Sequence, residues 1–117
     1  MAQLSEILAQ DCTPDCPVRL AATELDGKWT TQIIRDFLGG TKRFSELLRS
    51  LDGISPKVLT ARLKMLEDHN IIVKTIYPVM PPKTEYALTA FGMELRPVIV
   101  ALATFGVRLA GNVAAVK

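Results

Sequence analysis

The chain has 117 residues, enough for one hydrophobic core while much of the surface stays in contact with solvent. Hydrophobic residues make up 49% of it, which excludes intrinsic disorder. A net charge of +2 excludes a general polycation effect as the basis of any nucleic-acid binding. The amino terminus has no basic stretch, and Glu6 and Asp11 interrupt its short apolar run. No signal peptide is expected, and a cytoplasmic location follows as the expectation.

Leu4, Ile7 and Leu8 predict a short helix over about residues 2–10. Cys12 and Cys16 come next. Cys16 precedes Pro17 at the expected start of a second helix, where unpaired N–H groups and the helix dipole favour a thiolate. Arg19 lies within a turn and adds to that pull, whereas Asp11 and Asp15 oppose it. A small buried cysteine that simply packs is the competing reading, and both stay open at this point. Val18, Ala21, Ala22 and Leu25 mark the second helix, closed by Asp26-Gly27. Trp29, Ile33, Ile34, Phe37 and Leu38 mark a third, closed by Gly39-Gly40. Gly39-Gly40-Thr41-Lys42 looks superficially like a phosphate loop, but the upstream glycine at the required spacing is missing. It reads as a helix stop.

The most informative stretch starts at Phe44. Phe44, Leu47, Leu48 and Leu51 recur at helical spacing and line one face. Asp52-Gly53 then breaks the helix, Ser55 is placed to cap a new one, and Pro56 suits its first turn. Projected at ~100° per residue, the new helix gathers Leu59, Leu63 and Leu66 on one side. Lys57, Thr60, Ala61 and Lys64 fall on the other, with Arg62 on the flank. Apolar beneath, cationic and small above, it has the make-up of a helix that lies in a DNA major groove. A merely solvated amphipathic helix would share part of that pattern. Asn70 tolerates the left-handed conformation that ends helices.

Ile71 to Tyr77 is β-branched and aromatic and predicts a strand; Lys83 to Leu88 predicts a second, ending at Thr89. Pro78, Pro81 and Pro82 between them forbid regular pairing at the tip, and Lys83 is placed to meet a phosphate. The alternative is a plain turn whose prolines only protect an edge. Helix, turn, helix and hairpin in this order predict a winged helix-turn-helix, mainly α with a small β-hairpin wing. Residues 42 to 74 carry seven Lys/Arg against four Asp/Glu, a local balance of +3.

From Leu95 to Leu109 the residues Leu95, Val98, Ile99, Leu102, Phe105 and Leu109 form one stripe, and Val100, Ala101, Ala103 and Val107 make the other face apolar too. A helix apolar all round must be covered on all sides. One face covers its own domain and the other needs a partner, so these six residues are the expected homodimer interface. The uninterrupted apolar run, bracketed by Arg96 and Arg108, is about half the ~20 residues of a membrane span, and no membrane association is expected. Pro97 is expected to kink or split this helix. The expected organisation is one domain over 1–117. It has a helix-turn-helix core at about 43–70, a wing at about 71–88 and a dimerisation helix at about 89–111.

Enzymatic chemistry finds little to work with. His69 is the only histidine and reads as a surface residue. No nucleophile elbow is present, and Cys12, Cys16 and His69 fall short of the roughly four ligands of a zinc site. No catalytic residue, metal or other cofactor is expected.

The chain closely resembles the HxlR-type winged helix-turn-helix regulators of bacteria and archaea, from Cys16 to about Gly106. The resemblance rests on Cys16-Pro17-Val18, Gly27-Lys28-Trp29, Arg43-Phe44 with Glu46-Leu47, Gly53-Ile54-Ser55 with Lys57 and Leu59, and Arg62-Leu63 with Leu66-Glu67. It continues through Tyr77-Pro78, Pro81-Pro82, Glu85-Tyr86, Leu88-Thr89 and Gly92. The resemblance implies a homodimer, paired through terminal helices, that binds palindromic promoter DNA. Ser55, Lys57, Thr60, Arg62, Lys64 and Lys83 are then the expected DNA contacts. It further implies that a cysteine at the position of Cys16 senses oxidants or electrophiles such as quinones or aldehydes, with Cys12 as a candidate resolving partner. Lys83 stands where the family usually has arginine, which keeps the charge but loses the planar fork. Asn70 replaces the usual glycine. A winged-helix module that binds only protein, and a small thiol redox protein, are the other two readings.

Overall fold

The computed structural model describes residues 4–9 and 16–116. Six helices, α1 (Leu4–Ala9), α2 (Pro17–Glu24), α3 (Thr30–Phe37), α4 (Phe44–Ser50), α5 (Pro56–Asp68) and α6 (Arg96–Val116), accompany one hairpin of β1 (Ile72–Tyr77) and β2 (Lys83–Leu88). Cys12 lies outside the described residues.

The core is built where α3, α4 and α5 converge. Ile33, Ile34 and Phe37 of α3 meet Leu47 of α4 and Leu59, Leu63 and Leu66 of α5, with Leu51, Ile54, Ile71 and Ile72 closing the turns between. Local signals agree with this packing. Glu46 accepts the Arg43 backbone N–H at 2.9 Å to start α4, and Ser55 Oγ accepts the Val58 N–H at 3.1 Å to start α5. At the other end of α5, Asn70 takes φ 61°. Its N–H then bonds the Glu67 carbonyl at 3.0 Å while that of Ile71 bonds Leu66 at 2.9 Å. Those are the two bonds of a Schellman stop, and Leu66 and Ile71, both buried, supply its apolar contact.

The hairpin is antiparallel, with register running from Ile72↔Leu88 to Tyr77↔Lys83. Tyr86 also pairs with Lys42 on its other edge, N–H to carbonyl in both directions at 2.9 and 2.8 Å. The Gly39-Gly40 stop is therefore followed by a single-residue β-bridge to the wing at Lys42.

The wing returns to α5 through a clasp. Thr89 N–H bonds the Ile71 carbonyl at 3.0 Å, its hydroxyl donates to the Asn70 carbonyl at 2.7 Å, and Gly92 N–H donates to that same hydroxyl oxygen at 2.9 Å. A Cβ on Gly92 would sit 2.1 Å from the Ile71 carbonyl oxygen. Gly92→Ala is expected to destabilise the fold by about 1–3 kcal/mol, because backbone must move to relieve that overlap. The shift in urea midpoint checks it, and an unchanged midpoint would show that the clasp is loose.

Three expectations are corrected here. The carboxy-terminal helix begins at Arg96, after a 3-10 turn over Gly92–Leu95, rather than near residue 89. Pro97 neither kinks nor splits it, since it occupies the first turn, where no N–H partner is needed. Ile99 is only 8% exposed and belongs to the protomer's own core, with Leu95 packed against it. These two members of the stripe therefore turn inward, and an interface between copies has Val98, Leu102, Phe105 and Leu109 to use.

Candidate nucleic-acid interface

The two sides of α5 separate cleanly. Leu59, Leu63 and Leu66 are buried, whereas Lys57, Thr60, Ala61 and Lys64 are exposed. The turn before it, Leu51 to Ser55, uses Gly53 at φ 95° to redirect the chain between α4 and α5, whose leucines share one core. Ser55 Oγ is committed to its cap as an acceptor, leaving its proton free to donate. Thr60 donates its hydroxyl to the Pro56 carbonyl at 2.8 Å and keeps its lone pairs outward. Lys64 pairs with Asp68 at 3.0 Å on the open surface. The Asp68 hydrogen bond, and then its charge, hold the Lys64 pKa above the usual lysine value. An exposed pair one turn apart contributes little to stability, so a phosphate can take over this lysine without loss to the fold.

Two of the expected contacts are placed differently. Arg62 is half-buried, and its guanidinium lies over Gly27, where a Cβ would stand 2.5 Å from Nη2. The side chain reaches back to the turn between α2 and α3 rather than outward to a phosphate, and Gly27 is the residue that makes room for it. Lys83 sits 3.1 Å from Glu85 Oε1 and 5.3 Å above the Tyr77 ring centroid, so a carboxylate already offsets its charge beside the wing tip. Sequence reasoning passed over Arg43, an exposed cation that shares a surface hollow with Met80 and Lys83. Its family motif was visible, but nothing in the linear spacing joined it to the wing.

His69, at the end of α5, pairs through Nδ1 with Glu24 Oε1 at the end of α2. The end of α2 thus pairs with the end of α5, and Arg62 of α5 packs over the turn that follows α2. Cys16 stands at the N-cap of α2, directly before Pro17, and is 8% exposed. It thus has both the helix-start position and the burial that the sequence offered as alternatives.

Among the described residues no cluster of three or more His, Cys, Asp or Glu is arranged to hold a metal, and no helix is long and apolar enough to cross a membrane.

Comparison with known proteins agrees with this geometry. A family model described as HxlR-like helix-turn-helix matches residues 24–113. The HTH-type transcriptional regulator sll1512 of Synechocystis, itself uncharacterised, is 43% identical over 91 residues, spanning 78% of this chain and 67% of that protein. The redox regulator HypR in its reduced form superposes with a TM-score of 0.81 at 31% identity, covering 85% of this chain and 98% of that one. Diamide-treated YodB from B. subtilis gives a TM-score of 0.68 at 33% identity, covering 80% and 93%. With a family model over residues 24–113 and a relative 43% identical over 91 residues, this chain belongs to the HxlR-like helix-turn-helix family.

Proposed function

We propose that the chain is a cytoplasmic transcriptional regulator that binds an inverted-repeat operator as a homodimer. The observation that carries this is the division of α5 into a buried leucine side and an exposed face of Lys57, Thr60, Ala61 and Lys64. Lys57 and Thr60 lie in its first turns, the part of a second helix that meets base edges, with half-sites ~34 Å apart. The names of its relatives, HTH-type transcriptional regulators, support the reading. Dimerisation is supported by α6, which leaves Val98, Val100, Leu102, Phe105, Val107 and Leu109 exposed in one protomer. So large an apolar surface calls for a partner. The test is a titration of the chain's own upstream DNA between roughly 50 and 200 mM salt. Tight binding with a steep salt slope is expected. Binding no tighter than to a scrambled duplex would sink the reading and leave a protein-binding winged helix.

The same proposal extends to Cys16. HypR is a redox regulator, and Cys16 stands at the start of the helix whose other end pairs with α5 through Glu24 and His69. Oxidation of the thiol, or its addition to a quinone or aldehyde, would shift α2 and with it the DNA-reading helix. Operator affinity of the wild type is expected to change about tenfold, or ~1.4 kcal/mol, on treatment with quinone or hypochlorite, and that of Cys16→Ser to stay constant. A Cys16→Ser protein that responds as the wild type does would return Cys16 to a packing role. Cys12→Ser, assayed beside it, reports whether Cys12 resolves the oxidised form.

A further inference from the structure

We propose that the wing tip, through Met80, is an apolar wedge for the DNA minor groove flanking each half-site; this rests on the DNA-binding reading above. The tip, residues 78–82, is Pro-Val-Met-Pro-Pro and carries no charged side chain. Met80 is 94% exposed, with Val79 and Ile76 exposed beside it. Lys83, the nearest cation in sequence, is occupied by Glu85 and the Tyr77 ring. A wing built to sit on phosphates would present charge at its tip; this one presents hydrocarbon.

A phosphate backbone offers such a surface nothing. The sugar walls and base edges of the minor groove do, and apolar side chains such as leucine, isoleucine, phenylalanine and methionine, together with prolines, are the groups that wedge between base steps there. Methionine is slim and adaptable, and three prolines in five residues limit the entropy lost when the tip is immobilised. Arg43 borders the same hollow as Met80, exposed at the start of α4, so a cation stands ready for the phosphates beside the groove. The chemistry selects flanks that open easily: A·T-rich sequence with flexible pyrimidine–purine steps, free of the guanine 2-amino group.

The test uses a 40-base-pair duplex selected from a random library by the wild-type protein. Its flanks are then replaced with G·C pairs, or with inosine·C pairs that keep the major-groove edge of G·C but lack the minor-groove amino group. Replacement with G·C is expected to weaken wild-type binding about fivefold or more, and inosine·C to restore it. Met80→Ala should erase that flank dependence without changing the salt slope, and Met80→Leu should retain it. A wild type that binds the duplex but ignores its flanks, or a Met80→Ala variant that still distinguishes them, overturns the wedge alone. A wild type that selects no duplex at all overturns the DNA-binding reading together with it.

Discussion

Phe105→Glu is expected to convert the proposed homodimer into monomers at micromolar concentration and to remove the proposed tight operator binding with it. Phe105 is 63% exposed in the protomer, so the substitution leaves the core untouched. In a two-fold assembly the change occurs twice. Each copy forfeits the ~1.5–3 kcal/mol of burying a large apolar side chain and adds a charge with no partner, whose desolvation is the larger penalty. Even the apolar loss alone, about 3–6 kcal/mol across the interface, weakens association by two to four orders of magnitude. Phe105 serves better than Leu102 here, because Leu102 shares a hollow with Arg35, which would screen a new carboxylate. Sedimentation of wild type and variant, with circular dichroism to show the helices intact, checks the result. A wild type that sediments as a monomer, or a variant that stays dimeric, places the interface elsewhere.

Lys57→Ala combined with Lys64→Ala is expected to weaken operator binding by at least a hundredfold at physiological salt. In the proposed dimer, four cations leave the two helices that would read DNA. Each one that met a phosphate shallows the salt slope by ~0.9, and each one that met a base costs ~1–3 kcal/mol of discrimination. The two outcomes separate in a salt titration run on specific and scrambled duplexes. Stability should hold. Lys57 lies near the amino end of α5, where a positive charge opposes the helix dipole and its removal is mildly favourable. Lys64 gives up only an exposed pair with Asp68. Unchanged affinity and selectivity would mean that another surface meets DNA.

Much of the fold was legible in the sequence because its signals are local. Periodic leucines, a serine and proline before α5, an asparagine after it and two β-rich runs each act through neighbours a few residues away, and each element formed where they placed it. The errors arose where the deciding neighbour is distant. A projection puts Arg62 on a flank, and a long side chain there can turn either way. Gly27, far back in the chain, settles it by leaving the space. Leu95, in the 3-10 turn, and Ile99, in α6, extend a stripe that is apolar on both sides, so periodicity finds the stripe without saying which part of it faces α3. Pro97 would disrupt a helix that starts near residue 89 but fits the first turn of one that starts at Arg96. Lys83 and Glu85 differ. Two residues apart on a strand they share a face, so their pairing was open to sequence reasoning and was missed.

The clasp of Thr89 and Gly92 on the end of α5 has a consequence for how an operator can vary. Because backbone and hydroxyl bonds fasten the wing root to the residues that stop that helix, the two parts of a protomer that would face DNA behave as the jaws of a fixed caliper. On the proposed mode of binding, such a caliper tolerates no slack between what the helix reads and what the wing touches. One base pair inserted between them turns the flank by about a tenth of a helical turn and carries it out of the wing's reach. Operators recognised by this protein should therefore differ freely in the bases at uncontacted positions, yet keep one constant separation between each half-site and its flank.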